Sequence, residues 1–180
     1  VMANVFYIDQ GFTKDQIAGV SKIFGLIMTL LGAGMGGLLI VRFGILPILF
    51  IGGAASAATN LLFLMLTGMG ADLQMLIVTI SADNFSAGLA TAAFVAYLSS
   101  LTNLKFSATQ YALLSSIMLL LPRLIGGYSG VMVEKFGYAQ FFLVTALLGI
   151  PTLLLIILQW RRERLQTSDL SVTNATEQHQ

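Results

Sequence analysis

Leu26-Ile27-Met28-Thr29-Leu30-Leu31-Gly32-Ala33-Gly34-Met35-Gly36-Gly37-Leu38-Leu39-Ile40-Val41 runs without a single charge until Arg42. Extended back to Lys14, the block 14–41 is long enough as a helix, at about 1.5 Å per residue, to cross roughly 30 Å of hydrocarbon. Within it Gly25, Thr29, Gly32 and Gly36 recur at i, i+4, i+7 and i+11, which puts small residues along one helical face. In lipid such a face lets two helix backbones approach closely. The stretch therefore predicts a membrane-spanning helix that packs against another.

Working outward, four further apolar blocks have the same character: 46–67, 73–100, 107–133 and 138–159. Their ends carry start signals. Thr13-Lys14-Asp15-Gln16 has the spacing of a capping box, Pro47 suits a first helical turn, Asp72 is placed to cap the third span, and Ser107 precedes the fourth. Gly126 and Gly130 form a second small pair in the fourth block, and the third is rich in Ala, Ser and Gly around Gly88. The expected fold is an all-α membrane protein, a helical bundle of about five complete transmembrane spans. Val1 to Ile8 is predicted to be the end of another helix, because about 12 Å cannot span. With Val rather than Met in first position, at least one preceding span is expected to be missing; an unusual start codon is the alternative.

Composition narrows the function. Of 180 residues, 57% are hydrophobic and 9% charged, against about 25% charged in ordinary soluble domains. The net charge of +1 is too small to suggest nucleic-acid binding, and the basic residues lie between apolar blocks. There is no cysteine, and the lone His179 sits in a polar tail, so no metal or cofactor is expected. An intramembrane serine protease would need a histidine within a span, a zinc protease H-E-x-x-H, and an aspartyl protease paired membrane aspartates. Only Asp83 is present, so no enzyme is expected. With the C-terminus on the cytoplasmic side, inner segments hold Arg42, Lys105, Arg161, Arg162 and Arg164, and outer loops only Lys14 and Lys135, as the positive-inside rule requires. Trp160 reads as an inner interface anchor, Phe136 and Tyr138 as outer ones. Residues 1–160 thus form the transmembrane part and 161–180 a polar cytoplasmic tail, expected to be disordered.

The candidate site residues are the ionisable groups inside spans, each costing roughly 2.5–3.5 kcal/mol near the bilayer centre. Asp83 lies eleven residues from Asp72, and Arg123 eleven from Glu134. That puts both about 16 Å below the outer surface, near the midplane where transporters hold substrates and coupling ions. A functional pair and a structural ion pair are both open. Lys22 sits one or two turns higher, or snorkels to the interface; with Arg123 it gives a cationic excess suited to an anionic solute. Asn84 accompanies Asp83. Pro122, before Arg123, removes a backbone donor and should kink its helix. Gln110, Tyr111, Ser115 and Ser116 line a cavity or bond between helices.

Gly37-Leu38-Leu39-Ile40-Val41-Arg42-Phe43-Gly44 resembles the G-x-L-x-D-R-x-G loop of the major facilitator superfamily, with Val41 replacing the acid. A closer resemblance is to the AmpG-type muropeptide permeases within it. It is carried by Phe6-Tyr7-Ile8-Asp9-Gln10-Gly11-Phe12, by Lys22 with Phe24-Gly25, by Asp83-Asn84-Phe85 with Gly88 and Ala93-Phe94-Val95-Ala96, and by Phe106-Ser107-Ala108-Thr109-Gln110-Tyr111-Ala112-Leu113-Leu114-Ser115 with Arg123 following. The resemblance implies the C-terminal half of a major facilitator fold, partnered by a missing N-terminal half. It also implies proton-driven import of anhydro-muropeptides for peptidoglycan recycling across a bacterial inner membrane. A carrier of another anion such as acetyl-CoA, and a non-transporting membrane remnant or sensor, are the alternatives.

Overall fold

The computed structural model describes residues 2–101 and 107–177, and the described chain is helical between short turns. Lys105 and His179 lie outside the described residues. Helix α1 is Met2–Asp9, the short stub expected ahead of the first full span. After Gly11, α2 (Lys14–Val20) opens on the capping box: the Thr13 hydroxyl accepts from Gln16 N–H at 3.2 Å, and Gln16 Oε1 accepts from Thr13 N–H at 3.0 Å. The helix widens into a π turn at Ser21–Gly25 and resumes as α3 (Leu26–Phe43). Next come α4 (Ile45–Met69), α5 (Leu73–Leu101), α6 (Ser107–Gly127) and α7 (Ser129–Glu177).

Among the described residues, four helical runs are long and apolar enough to cross a membrane: Lys14–Phe43, Ile45–Met69, Leu73–Leu101 and Ser129–Arg162. Helix α6, with 21 residues, is about 31 Å long, the hydrocarbon thickness itself. The expected fourth span, 107–133, is corrected here. Its helix ends at Gly127, Tyr128 turns, and the next helix begins at Ser129. That last helix is broken at Gly137, whose φ of 78° is open to glycine at no steric cost. The tail, expected to be disordered, continues α7 as helix to Glu177; 161–177 holds no Gly or Pro to stop it. Pro47 falls in the first turn of α4, and Asp72 Oδ1 accepts from Gln74 and Met75 N–H at 2.8 and 3.3 Å, so both start signals were read correctly. Gly44 links α3 to α4 alone, at φ 89°. The glycine ending the facilitator-like loop is therefore what permits so tight a reversal.

Helix α5 is the centre of the bundle, with α3 on one side and α4 on the other; α4 also packs against α7. The small-residue stripe is used as expected. A Cβ on Gly32 would lie 2.1 Å from the Phe85 carbonyl oxygen, one on Gly88 2.3 Å from the Thr29 carbonyl, and one on Gly52 2.8 Å from Ala90 Cα. Gly126 and Gly130 do not form the packing pair their spacing suggested. Among the described residues nothing lies within 4 Å of either Cβ position; the two glycines lie in different helices, α6 touches α5 and α7 only sparsely, and its Leu113, Leu119, Leu120 and Leu124 are exposed.

Two apolar clusters close the ends of the bundle. At one, Phe6 of α1 meets Phe142 at 5.0 Å between ring centroids, and Phe142 stacks on Phe63 at 5.0 Å. Tyr138 donates to Asp9 Oδ2 at 2.5 Å, which ties α1 to α7. At the other, Leu46, Ile48, Leu49, Leu89, Ala93 and Ile156 pack together, flanked by Tyr97 and Trp160. Large apolar residues face outward, with Val41 89% and Leu155 66% exposed. Such a surface is stable against lipid rather than water.

Gly32→Ala should destabilise the folded chain by roughly 1–3 kcal/mol, since backbone must move to admit the methyl group. Gly34→Ala, with nothing within 4 Å, should leave it unchanged or slightly raised. Thermal unfolding of the two variants in detergent checks the contrast.

Candidate functional site

A hydroxyl in a membrane helix can turn back onto a carbonyl one turn earlier, and this hides polarity from lipid. Ser86 does so onto Ala82 at 2.8 Å, and Ser116 onto Ala112 at 2.7 Å. A carboxylate and a carboxamide have no such complete solution, so Asp83 and Asn84 must be met by neighbouring helices. As adjacent residues they point about 100° apart around α5. Asp83 turns to α4, where Thr59 Oγ1 lies 3.0 Å from its Oδ1. Asn84 turns to α3, where its Oδ1 accepts from Thr29 Oγ1 at 3.2 Å; its Nδ2 donates to the Ile80 carbonyl at 2.8 Å. Gly25 leaves room for the carboxamide, its Cβ position being 3.5 Å from Asn84.

The layer continues through α4. Asn60, next to Thr59, accepts from Thr145 Oγ1 of α7 at 3.3 Å, and its Nδ2 donates to the Ser56 carbonyl at 3.2 Å. Thr29, Asn84, Asp83, Thr59, Asn60 and Thr145 thus form one polar belt across α3, α5, α4 and α7. Adjacent residues on a helix differ by only about 1.5 Å in height, so the belt is a thin layer. Thr59 is buried and Asp83 partly so. Tyr7 of α1 lies within electrostatic reach of the carboxylate.

Thr59 Oγ1 has two acceptors within reach, Asp83 Oδ1 and the Ser56 carbonyl at 2.8 Å, and one proton. An ionised Asp83 draws that proton away from Ser56. A protonated Asp83 instead donates to the Thr59 oxygen, and the threonine proton returns to Ser56. The Thr59 contact can thus persist in both states without any movement of heavy atoms. One turn before Asp83, the fully buried Thr79 hydroxyl has no partner among the described residues.

The structure unites Asp83 and Asn84 in the belt but does not bring the other candidates to them. Arg123 is exposed on α6, and among the described residues no ion pair joins it to Asp83. Helix α6 stands too far off for the equal depth of the two charges to become contact. Gln110 is exposed and Tyr111 half-buried on the same helix. Lys22 is exposed on the π turn, where it lines a shallow cavity of about 420 Å³ with Asn4, Lys14 and Ser21. The π turn, Thr59, Asn60 and Thr145 were missed in the sequence. The available signal was the Thr59-Asn60 pair inside an otherwise apolar span.

No family model matches the chain. Known proteins do. It is 38% identical over 156 residues to "Putative transporter AmpG 4" of Rickettsia conorii, an alignment covering 87% of this chain and 38% of that protein. The chain is AmpG-like. Two more relatives agree: "Putative transporter AmpG 1" of Rickettsia prowazekii, 34% identical over 87% of this chain and 35% of that one, and "Putative transporter AmpG 3" of the same organism, 32% identical over 81% and 35%. This AmpG-like chain therefore spans well under half the length of the relatives it matches.

Thr79→Val should keep or raise the stability of the AmpG-like chain. It removes an unpaired buried hydroxyl, whose desolvation costs about 1–3 kcal/mol, at nearly constant shape. Asn84→Leu should lower it by about 0.6–2 kcal/mol through loss of the α3 contact. Melting temperatures of both variants in one detergent decide the matter.

Proposed function

We propose that this chain is part of a secondary active transporter in which Asp83 takes up and releases the coupling proton. The observation that carries the reading is the setting of Asp83. It stands in a thin polar layer of an otherwise apolar bundle, met by a neutral hydroxyl that can donate to its charged form or accept from its neutral one. A carboxylate held by a guanidinium is locked in its ionised state, whereas one held by a threonine exchanges its proton at little cost. Similarity to relatives named as transporters supports the same class.

The transported solute is small and anionic. Lys14 and Lys22 share one cavity wall, and Arg123 is exposed with no ion pair among the described residues. The AmpG-type resemblance points to anhydro-muropeptides, which carry carboxylates, imported by proton symport across a bacterial inner membrane by a multi-pass protein with its C-terminus in the cytoplasm. In this reading Asn84 holds α5 in register, while Arg123, Gln110 and Tyr111 on α6 face the solute. The chain supplies the C-terminal half of a facilitator cavity, whose other wall is a matching N-terminal half.

Uptake of labelled anhydro-muropeptide, in cells lacking their own permease and expressing the chain with a matching N-terminal half, tests the proposal. Asp83→Asn should insert normally and still exchange solute across the membrane, yet lose accumulation driven by a pH gradient. Thr59→Ser should retain that accumulation, and Thr59→Val should shift its pH profile. Normal pH-driven accumulation in Asp83→Asn would refute the proton role. Uptake of acetyl-CoA in place of muropeptide would overturn the solute, and no uptake of either would favour a non-transporting remnant.

A further inference from the structure

Phe6 and Tyr7 of α1 share one apolar core with Ile17 and Val20 of α2, so the two helices fold back on each other around Gly11. The cavity of about 420 Å³ lies between them. Asn4 and Ile8, one turn apart, line it from α1; Lys14, Ile17, Ser21 and Lys22 line it from the other side, within an arc of about 140°. Its depth is graded. Lys14 and Ile8 stand nearest the turn at Gly11, whereas Ser21 and Lys22 follow Lys14 by seven and eight residues, about 11–12 Å deeper, and Asn4 is about 6 Å below Ile8. Three polar groups thus gather at the deep end, with Ile8 and Ile17 above them and Lys14 at the mouth. Gly25, three residues beyond Lys22, packs on Asn84, so the deep end stands one turn from the polar belt.

The π turn creates this division of faces. One extra residue in a turn shifts the helical register by about 100°. Without it, Gly25 would come round to the angle of Lys14 and face the cavity. With it, Gly25 and the small stripe that follows face α5, while Ser21 and Lys22 keep the cavity side.

The polar groups of the cavity are not engaged elsewhere. Ser86 and Ser116 turn back onto carbonyls, but Asn4, Lys14, Ser21 and Lys22 make no side-chain hydrogen bond or ion pair among the described residues. Among the described residues no acid lines the cavity, and Asp9, next to Ile8, is held by Tyr138. Two ammonium groups, a hydroxyl and a carboxamide offer donors to one small space, which is what an oxyanion requires. A phospholipid keeps its head at the membrane surface and its chains beneath, whereas here the donors lie deep and the isoleucines above them. A soluble anion descending from the aqueous face has the matching polarity.

We infer, building on the reading of this chain as a carrier of an anionic solute, that this cavity is an entry site that binds a carboxylate of the solute. Lys22, Ser21 and Asn4 hold the carboxylate, and Lys14 at the mouth draws it in. The site is separate from Asp83 and its proton.

A lysine footprint tests the site without transport. The full chain is reconstituted in phosphatidylcholine bilayers and treated briefly with an amine-reactive reagent, with and without the anhydro-muropeptide of the uptake assay. Modification of Lys14 and Lys22, read by mass spectrometry, should slow as muropeptide is added, and that of Lys135 should not. In Lys22→Gln, Lys14 still reports, and half-protection should need about ten-fold or more muropeptide. Asn4→Asp, which sets a carboxylate at the deep end from an exposed position, should abolish protection. Circular dichroism verifies that each variant is folded, and the wild-type comparison needs no variant. Protection of Lys14 and Lys22 no greater than that of Lys135 would overturn the site, as would equal protection by muropeptide with its carboxylates amidated, or full protection in Asn4→Asp. Slowing of the same two lysines by phosphatidylglycerol in the bilayer, with no muropeptide present, would overturn the solute in favour of a lipid head. Protection in a chain whose uptake fails would support the site and sink the transport reading, and uptake without protection would sink the site alone.

Discussion

Backbone-to-backbone contact between α5 and its two neighbours is the constraint on which the bundle depends. Lipid gives apolar helices no hydrophobic reason to associate, so association rests on close packing and on interhelical hydrogen bonds. Gly32 and Gly88 let α3 and α5 approach until either Cβ would overlap the partner's carbonyl, and Gly52 does the same for α4. Nothing larger fits. Once α5 is held so closely on both sides, its polar residues are within reach of theirs, and Thr29 and Thr59 become partners of Asn84 and Asp83.

Close packing and polarity are thus one arrangement. Alone, α5 is rich in Ala, Ser and Thr and carries a carboxylate, which makes it a poor candidate for lipid contact. Sandwiched between α3 and α4, it presents its costly groups to hydroxyls and its glycines to backbone. The same geometry gives Asp83 a neutral partner with two acceptors in range, so either protonation state is accommodated by turning one hydroxyl. Helix α6 lacks such glycine contacts. Gly126 and Gly127 face open space, and the helix that carries Gln110, Tyr111 and Arg123 stands off from the belt.

Sequence alone determined the class of the chain, because the length and polarity of a membrane span are local properties set by hydrocarbon thickness. Capping by Thr13-Gln16 and Asp72 was legible for the same reason: the partners lie within four residues. The stripe from Gly25 to Gly36 declared a packing face, and Asp83-Asn84 declared a group in need of partners. Neither said which helix would answer. Spacing also misled at Gly126 and Gly130, which look like a packing pair in one helix but lie in two, on either side of the turn at Tyr128.

Only the tertiary structure decided who meets whom. Thr29 and Asn84 are 55 residues apart, Asn60 and Thr145 are 85, and no period in the chain connects them. Equal depth along two helices, the basis for pairing Asp83 with Arg123, fixes height but not the angle around each helix or the distance between axes. Those two quantities are set by glycine contacts summed over the whole bundle. They gave Asp83 to Thr59 rather than to an arginine, because a hydroxyl on a closely packed helix reaches the carboxylate and a guanidinium on a loosely packed one does not.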